Sequence, residues 1–423
     1  MTVIGVDDTD SRRRGMCTTY VAHRIAERLV GDGVAVAETL LVRLNPAVEH
    51  KTRGNAALAV HTDAPVEAAY AVARDVVTEA AETADEQTQP GLVVAPGDPV
   101  EVPTDVAEFA RAAVRDHHDL ADAVALAAAV GYRHEGWAGG RGRIGALAAV
   151  GADRAFDDWT HELIAYRRPE RRGTERTVDR ESLFTAADAA YPVAWDTVDR
   201  AADEAVCVPH TPGPILYGIR GDDPDAVRGV AADVDSEPVH ATRLFRTNQG
   251  TDAHLRDADS VAALRDGRAY RVDGTVRSAP ETREGGHVFF AVGDESASVD
   301  CVAFEPTKRF RDRVRALRPG DRVTVCGEVS DGTCKLEKFA VRELDRTADR
   351  TPDCPDCGRS MKSAGADQGY RCRDCNRTAD GPETVRVDRD LDPGWYEVPP
   401  RARRHVARPL VRGGFDGPVH PER

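Results

Sequence analysis

Two CxxC pairs near the carboxyl end constrain the fold of this chain more than any other feature. They are Cys354-Pro-Asp-Cys357 and Cys372-Arg-Asp-Cys375, with 14 residues between them. Each pair brings two thiolates together at one turn, and two such pairs complete the tetrahedral shell of a structural zinc ion. A redox pair is the alternative, but no thioredoxin-like pattern surrounds the cysteines. The sequence therefore predicts a zinc ribbon over 350–380 in which Cys354, Cys357, Cys372 and Cys375 hold Zn²⁺.

The composition indicates a protein that works in concentrated salt. The chain has 423 residues and a net charge of −15, and only five of its 57 basic residues are lysines. Excess acid with scarce lysine suits molar salt, where the Debye length falls to about 3 Å. Repulsion from phosphates is then largely screened, so the acidity does not exclude a nucleic-acid partner. No run of about 18 apolar residues occurs and no apolar segment follows Met1, so we expect a cytoplasmic protein without membrane segments.

The first 195 residues alternate between strand and helix patterns. An apolar strand at 2–6 precedes a helix at 18–30, and an Ala-rich amphipathic helix is predicted at 105–129. The polar stretch at 85–90, followed by a Pro-Gly-Asp-Pro turn, is typical of a linker or an exposed loop. We therefore assign 1–195 to one α/β domain.

A second α/β unit follows, and an all-β segment comes after it. Strand, helix and strand patterns over 215–246 predict a ferredoxin-like domain at 196–262, for which the β-α unit at 56–83 is a candidate partner. Five short strands and one helical insert over 268–345 fit an OB-fold barrel, which commonly binds oligonucleotides. A barrel without a ligand is the alternative, but a basic run lies beside it: Lys308, Arg309, Arg311, Arg313, Arg315 and Arg318. With a basic tail at 381–423, the fold class is multidomain α+β.

Three carboxylates follow the first predicted strand. Asp7, Asp8 and Asp10 lie at its carboxyl end, where open α/β folds place their ligands. A cation relieves their mutual repulsion, and carboxylate oxygens suit Mg²⁺, which takes one or two carboxylates together with substrate phosphates. A solvated acidic turn is the alternative, and the spacing alone does not separate the two.

A glycine and two hydroxyl side chains begin the next helix. In Gly15-Met16-Cys17-Thr18-Thr19, the free N–H groups of the helix start and the helix dipole favour an anion. Thr18 and Thr19 are placed either to lie beside a metal-bound phosphate or simply to cap the helix. Cys17 is expected to be buried.

A glycine-rich segment is a second candidate phosphate site. Residues 140–145, Gly-Arg-Gly-Arg-Ile-Gly, match GxGxxG and open an apolar helix, but no clear buried strand precedes them. The missing strand argues against a dinucleotide fold, and the two arginines favour a phosphate cradle. His134 and His161 are predicted to be structural. The predicted cofactor-binding residues are Gly15, Thr19, Gly140, Arg141, Gly142, Arg143 and Gly145.

Over essentially the whole chain, these motifs resemble one family, the archaeal tRNA-isoleucine 2-agmatinylcytidine synthetases (agmatidine synthases). The loop Arg12-Arg13-Arg14 is more basic than the family's loop, but the flanking motifs are intact. The OB-fold pattern and the CxxC pairs belong to the resemblance as well. The other motifs are IGVDDTDS (4–11), GMCTTY (15–20), LVRLNP (41–46), KTRGNAA (51–57), GRGRIGALAAVGA (140–152), HELIAYR (161–167), GPILYGIRG (213–221), TNQGTDAH (247–254) and WYEVPPRARRH (395–405).

The resemblance implies an ATP-dependent ligase of a halophilic archaeon. Such an enzyme replaces the C2 oxygen of the wobble cytidine in the CAU anticodon of tRNA(Ile) with agmatine, and decoding changes from AUG to AUA. The C2 oxygen is phosphorylated and then displaced by the agmatine amine, while ATP is broken down to AMP. Domain 1–195 is then kinase-like and catalytic. In it Asp7, Asp8 and Asp10 hold magnesium and the ATP phosphates, and Thr18 is autophosphorylated.

The same resemblance implies the cofactors and partners. ATP, Mg²⁺ and structural Zn²⁺ are the cofactors, tRNA(Ile) with a CAU anticodon and agmatine are the substrates, and no stable protein partner is implied. The OB fold, the zinc ribbon and Arg401, Arg403 and Arg404 of the tail are expected to bind tRNA. The guanidinium of agmatine needs an acidic or polar pocket, for which the candidates are Glu135, Asp158 and Glu162.

Two other functions fit parts of the sequence. A non-catalytic protein that binds tRNA or single strands would use the OB fold and the zinc ribbon, but it leaves the acidic loop and the GMCTT segment unexplained. A different ATP-dependent base modifier or a small-molecule kinase would share the N-terminal domain, and the C-terminal domains disfavour the kinase. An ATPase assay separates the first alternative, and amine-dependent labelling of tRNA separates the second.

Overall fold

A nine-stranded sheet organises the amino-terminal part of the molecule. The structure is a computed structural model that describes residues 1–49, 51, 54–366 and 368–423. The sheet joins two four-stranded units side by side and carries one further strand at its edge. An OB barrel and a zinc ribbon follow, and the last residues return to the sheet.

The first unit has antiparallel strands in the order β4-β1-β3-β2, which is the ferredoxin-like order. Alternate residues of β1 face opposite sides: Ile4 and Val6 pack with α1 and α2, and Val3 packs with the helices on the other face. The elements are β1 (Thr2–Asp7), α1 (Thr18–Gly31), β2 (Val36–Arg43), β3 (Ala56–Thr62), α2 (Val66–Ala80) and β4 (Gly91–Pro96).

Three more helices cover the second face of this unit. They and the edge strand are α3 (Thr104–Ala113), α4 (Leu120–Ala129), β5 (Arg133–Gly136) and α5 (Arg143–Ala155). The predicted single helix over 105–129 is wrong, because the chain leaves α3 after Ala113. In the break, Asp116 forms ion pairs with Arg256 and Arg268 of the following domains. The segment 85–90 was predicted to be a linker or an exposed loop, and it is a loop in which Glu86 and Gln87 are exposed. It is not a linker, because Thr88 is buried and donates to the Asp10 carbonyl at 2.7 Å, and the chain then enters the buried strand β4.

The second unit repeats the ferredoxin-like order as β11-β6-β10-β7. Its β10-α7-β11 segment was predicted, but the predicted partner at 56–83 is wrong, because β3 lies between β1 and β2 and the partner is β6 with α6. The elements are β6 (Thr160–Arg167), α6 (Arg180–Ala190), β7 (Ala194–Trp195), the hairpin β8 (Val198–Asp199) and β9 (Glu204–Ala205), β10 (Ile215–Gly221), α7 (Pro224–Asp233) and β11 (Val239–Thr247).

The two units meet where β2 pairs with β11 in parallel. Leu40 lies opposite Arg246 and Leu41 opposite Thr247. The side chain of Asn248 extends this seam: its Oδ1 accepts from the Arg43 N–H at 2.7 Å, and its Nδ2 donates to the Arg43 carbonyl at 3.0 Å. The seam therefore makes one continuous sheet of two units.

The predicted OB barrel is confirmed. β13 pairs with both β15 and β17, and β16 and β18 close the circle between them. The elements are β12 (Leu255–Ala258), β13 (Arg268–Val276), β14 (Glu281–Thr282), β15 (Val288–Gly293), β16 (Ser298–Ala303), α8 (Phe310–Arg315), β17 (Arg322–Ser330) and β18 (Thr333–Glu343).

The chain ends with the ribbon and a tail that packs back on the other domains. β24 of the tail pairs with β18 of the barrel. No helix in the described part of the chain is long and apolar enough to cross a membrane. The strands are β19 (Thr347–Arg350), β20 (Lys362–Ser363), β21 (Tyr370–Arg371), β22 (Thr378–Ala379), β23 (Glu383–Arg386), β24 (Gly394–Glu397) and β25 (Val419–His420).

The arginines of the tail bind carboxylates of the protein itself. Arg403 is buried and forms ion pairs with Asp196 of the second unit and with Glu397 at 2.8 Å. Arg401 pairs with Glu204 at 2.6 Å, and Arg404 likewise faces two glutamates of the barrel. The expectation that Arg403 contacts tRNA is therefore wrong, because its guanidinium links the tail to the sheet.

Replacement of Arg403 should destabilise the protein strongly. Arg403→Ala leaves Asp196 and Glu397 buried without their cation, which costs about 3–5 kcal/mol. Arg401→Ala is the matched control, because it removes one partly exposed ion pair worth less than about 1 kcal/mol. Urea unfolding in concentrated KCl measures both free energies of unfolding. Equal values for the two variants would contradict the bracing role of Arg403.

Candidate active site

A cavity of about 540 Å³ lies at the seam between the two units. The first unit contributes the loop after β1, the start of α1 and the end of β2. The second contributes β6 and β10. Leu163 and Ala165 of β6 pack with α6 and α7, so Glu162 and Ile164 project from the opposite face, into the cavity.

The acidic loop forms one wall. Asp7 Oδ1 accepts the Asp8 N–H at 2.7 Å, and the other oxygen of Asp7 lies against α5. A Cβ atom on Gly145 would lie 2.0 Å from Asp7 Oδ2, so only glycine leaves room for this carboxylate. Asp8 has a left-handed backbone (φ +58°), and its Oδ2 accepts from the N–H of Gln89 at 3.2 Å and from Arg141 Nη2 at 3.4 Å.

Burial disfavours the ionised form of these carboxylates. Burial, with the charges of Asp8 and Asp10, raises the pKa of Asp7 well above its usual value. Burial also raises the pKa of Asp8 to about 6, although Arg141 and the Gln89 N–H act in the opposite direction. Among the described residues, the three aspartates do not bring their oxygens within 4.8 Å of one another. The predicted three-carboxylate metal site is therefore not preformed.

Thr18 lies beside the acidic loop at the first position of α1. Its Oγ accepts from the Thr9 hydroxyl at 3.1 Å and from the Thr9 N–H at 3.4 Å. Cys17 occupies the N-cap position in an extended conformation, so neither Thr18 nor Thr19 caps the helix. Cys17 was expected to be buried, but it is half-buried and lines the cavity.

The glycine-rich segment begins α5 next to the same wall. The Gly142 N–H donates to the Gln89 carbonyl at 2.9 Å, while Arg143 turns back and donates to the carbonyls of Gly140, at 3.0 Å, and Gly139. Of the predicted site residues, those that line the cavity are Asp7, Asp8, Asp10, Thr18, Thr19, Arg141, Gly142 and Gly145. The other three, Gly15, Gly140 and Arg143, do not line it.

A second polar cluster forms the opposite wall, and most of it was missed in the sequence. Its members, here called the Glu162 cluster, are Arg43, Glu162, Arg220, Gln249 and His405. In that order they come from the motifs LVRLNP, HELIAYR, GPILYGIRG, TNQGTDAH and WYEVPPRARRH. The motifs were recognised, but they are far apart in the chain and only the fold brings them together.

The Glu162 cluster carries two arginines, of which Arg220 is buried and Arg43 is half-buried. Burial lowers the pKa of Arg43 to about 10, although Glu162 raises it. The charge of Arg43, burial and the charge of Arg220 together lower the pKa of His405 well below its usual value. The cluster therefore combines two cations, one carboxylate and a neutral imidazole.

Two of the three candidate agmatine residues lie outside the cavity. Glu135 accepts from the Tyr70 hydroxyl at 2.6 Å and from Arg74 Nε at 3.0 Å, and Asp158 pairs with arginines of the tail. Only Glu162 lines the cavity. The two histidines predicted to be structural do not line it, and burial lowers the pKa of both His134 and His161.

The zinc ribbon has the geometry that its sequence predicts. The Sγ atoms of Cys354, Cys357, Cys372 and Cys375 all lie within 4.8 Å of one another, and those of Cys357 and Cys372 are 3.6 Å apart. Four thiolates at such separations fit a tetrahedral zinc ion with Zn–S bonds of about 2.3 Å. These residues would hold the metal in a closed, structural site.

Family models match four segments of the chain. Residues 3–68 match the TiaS TCKD domain, 140–254 the TiaS FLD domain, 263–336 the OB-fold nucleic acid binding domain and 351–391 the TiaS C-terminal zinc ribbon domain. A tRNA-isoleucine 2-agmatinylcytidine synthetase, TiaS, of Haloquadratum walsbyi is 53% identical over 463 aligned positions, covering 100% of both chains. The chain belongs to the tRNA-isoleucine 2-agmatinylcytidine synthetase family. The Methanosarcina mazei member is 47% identical over 97% of each chain.

Solved structures of the family share the whole fold. The apo form of TiaS superposes with a TM-score of 0.89 at 43% identity, covering 100% of both chains. The complex of TiaS with its isoleucine tRNA and ATP has a TM-score of 0.91 at 43% identity. The complex with the same tRNA, AMPCPP and agmatine has a TM-score of 0.88 at 41% identity. Both superpositions cover 100% of this chain and 99% of the TiaS chain.

The contact between Gly145 and Asp7 gives a direct test of the acidic wall. Gly145→Ala places a methyl group on the Asp7 carboxylate, and a displacement of about 1 Å costs roughly 100-fold in activity. Gly229→Ala is the matched control, because Gly229 also lies in a helix and its Cβ would meet nothing within 4 Å. Steady-state rates of tRNA modification measure both. Full activity of the Gly145 variant would show that the position of Asp7 is not critical.

Proposed function

We propose that this protein uses ATP to join agmatine to a cytidine of an isoleucine tRNA, forming 2-agmatinylcytidine. The observation that carries the proposal is the cavity in which the acidic loop and Thr18 face the Glu162 cluster. A family member has been solved with its isoleucine tRNA, an ATP analogue and agmatine; it is 41% identical to this chain, and the match covers 99% of its length. We further propose that the target is the wobble cytidine of the CAU anticodon, so that decoding changes from AUG to AUA.

The chemistry needs a good leaving group at C2 of the base, because a carbonyl oxygen leaves poorly. Transfer of a phosphoryl group to the C2 oxygen supplies one, and attack of the agmatine amine on C2 then releases phosphate. Thr18 is the proposed phosphoryl carrier. Its hydroxyl lies at the start of α1, where the helix dipole favours the negative charge of a phosphate. The cavity also admits a flipped base, which this reaction requires.

The acidic loop is the proposed magnesium site. Asp7 and Asp8 are half-buried carboxylates, and burial is the largest cause of the raised pKa of each. Mg²⁺ takes one or two carboxylates together with phosphate oxygens, so the separation of the three aspartates does not oppose it. When bound, the ion would offset the charge of the ATP phosphates. Asp10 lies in the same wall and completes the proposed set, and Gly15, Thr19 and 140–145 are the proposed phosphate contacts.

The C-terminal domains are proposed to bind tRNA. On the OB barrel, Phe304 is 38% exposed, with its ring 5.2 Å from that of His287. Arg313, Arg315 and Arg318 of the basic run are exposed. An aromatic surface beside cations suits an unpaired strand. The limits 268–345 and 350–380 remain proposals. The first domain is proposed to end before β6, and the second ferredoxin-like unit to begin there, rather than at residue 196. We place the enzyme in the cytoplasm of a halophilic archaeon.

The alternative of a pure binding protein accounts for the barrel and the ribbon alone. It gives no reason for Asp7 and Asp8 to lie half-buried beside a threonine hydroxyl. Burying more carboxylates than cationic partners costs free energy, and a ligand-binding function compensates for that cost. A kinase for a small molecule is disfavoured by the chain's match to the family over its whole length.

Incorporation of agmatine tests the proposal. Wild-type protein in concentrated KCl, with ATP, Mg²⁺ and radiolabelled agmatine, should label tRNA(Ile) with a CAU anticodon and not the variant with uridine at the wobble position. Thr18→Val keeps the shape without the hydroxyl and should lower the rate by at least about 1000-fold, equal to roughly 4 kcal/mol in the barrier. Thr18→Ser keeps a hydroxyl and should retain most of the activity.

Each failure has its own meaning. A wild-type protein that binds the tRNA but never incorporates agmatine would support the binding-protein alternative. A Thr18→Val variant as active as wild type would show that Thr18 carries no phosphoryl group, without affecting the overall reaction.

A further inference from the structure

The Glu162 cluster contains hydrogen-bonding groups that the protein leaves unsatisfied. The side chain of Arg220 is 6% exposed, yet it donates no hydrogen bond to another described residue; its nearest carboxylates, Glu162 and Asp196, are both 3.9 Å away. The buried Nε atoms of Arg220 and of Arg43 also have no partner within the described ranges. An unpaired buried donor costs about 1–3 kcal/mol, so a native protein that keeps several in a cavity wall is suited to a ligand that pairs with them.

An acceptor lies directly beside these donors. Glu162 is buried, and its Oε2 accepts from Gln249 Nε2 at 2.5 Å. Its Oε1 accepts no hydrogen bond from the described residues. That oxygen lies over Gly218, where a Cβ atom would come within 2.6 Å, so the absence of a side chain keeps it accessible. The cluster thus offers one carboxylate oxygen between two guanidinium groups.

This arrangement discriminates among the groups that the reaction brings into the cavity. A phosphate has only acceptors and leaves the free oxygen of Glu162 without a donor, and the guanidinium of agmatine has only donors and leaves Arg43 and Arg220 without an acceptor. The Watson–Crick edge of cytosine presents a 4-amino donor followed by the N3 and O2 acceptors, and carboxylates commonly accept from that amino group. Uracil presents an acceptor at position 4 and a donor at N3, which the cluster does not match.

The position of the cluster favours cytosine over the adenine of ATP, whose edge also has a donor beside an acceptor. Arg43 and Glu162 line the same cavity as Thr18 and Cys17, which directly precedes Thr18. The base that receives the phosphoryl group must lie next to Thr18. The adenine is separated from the transferred phosphate by two further phosphates and a ribose.

We propose that Glu162, Arg43 and Arg220 recognise the Watson–Crick edge of the target cytosine. Glu162 Oε1 accepts from the 4-amino group, and the two guanidinium groups donate to N3 and O2. Gln249 positions Glu162 through its hydrogen bond and is a positioning residue. The inference rests on the proposed function and adds the residues that select cytidine.

The test removes one hydrogen-bonding group from each side. Substrate tRNAs carry either cytidine or its analogue with hydrogen in place of the 4-amino group (2-pyrimidinone ribonucleoside) at the target position. For wild-type protein, kcat/KM should be about 10- to 100-fold higher with cytidine, as expected for a hydrogen bond to a charged group. In Glu162→Ala this ratio should fall to less than about threefold. Any intrinsic difference in reactivity between the bases is shared by both proteins and cancels when the ratios are compared.

Two further variants separate recognition from folding. Glu162→Gln keeps the shape and the contact to Gln249, and its ratio should lie between those of wild type and Glu162→Ala. Glu237→Gln is the matched control: Glu237 is a buried glutamate paired with Arg167 in the same unit but outside the cavity, so the wild-type ratio should remain.

The outcomes are distinct. Equal ratios in wild type and both Glu162 variants, even with all rates lowered, would assign Glu162 a structural role and overturn the inference. An effect confined to the KM for ATP would show that the cluster binds adenine, which also overturns it. A wild-type protein that incorporates no agmatine into the cytidine tRNA would contradict the proposed function itself.

Discussion

The parallel pairing of β2 with β11 is the contact on which the site depends. Each ferredoxin-like unit alone has an open edge, and the seam joins the two edges into one sheet. The acidic loop belongs to the first unit and Glu162 to the second, so the seam sets their separation. Asn248 strengthens it by pairing with both backbone groups of Arg43, the first member of the Glu162 cluster. The cavity therefore exists only because the units are held in this register.

The two walls of the cavity hold charges of opposite sign with incomplete compensation from the protein. One wall buries carboxylates whose pKa values are raised by burial, and the other buries guanidinium groups with incomplete hydrogen bonding to the described residues. In each wall a glycine without a Cβ atom leaves room for a carboxylate: Gly145 for Asp7 and Gly218 for Glu162. Each wall is therefore unstable alone and suited to a ligand of complementary chemistry. In our account, phosphates with a cation meet the first wall and the edge of a base meets the second.

The sequence predicted local features well and long-range ones poorly. The zinc ribbon and the five barrel strands follow from short spacings, so Cys354–Cys375 and the OB barrel were found. Asp7, Asp8 and Thr18 could be predicted to lie close together because they belong to one loop and one helix start, and they line one cavity. The partner of the β10-α7-β11 segment was wrong, since strand pairing across the sheet leaves no local signal. The Glu162 cluster was missed as a unit for the same reason, because its members lie between positions 43 and 405. The role predicted for Arg403 was wrong because charge composition does not show whether an arginine faces solvent or a buried carboxylate.

The fate of the C2 oxygen tests the central claim, that the cavity transfers a phosphoryl group to the base before agmatine attacks. The substrate is tRNA(Ile) whose target cytidine carries ¹⁸O at C2, and the phosphate released during agmatine incorporation is analysed by mass spectrometry. Phosphorylation of the C2 oxygen predicts one ¹⁸O atom in each phosphate that leaves the base. If the isotope appears in water, or remains in the tRNA after agmatine is incorporated, the account is contradicted.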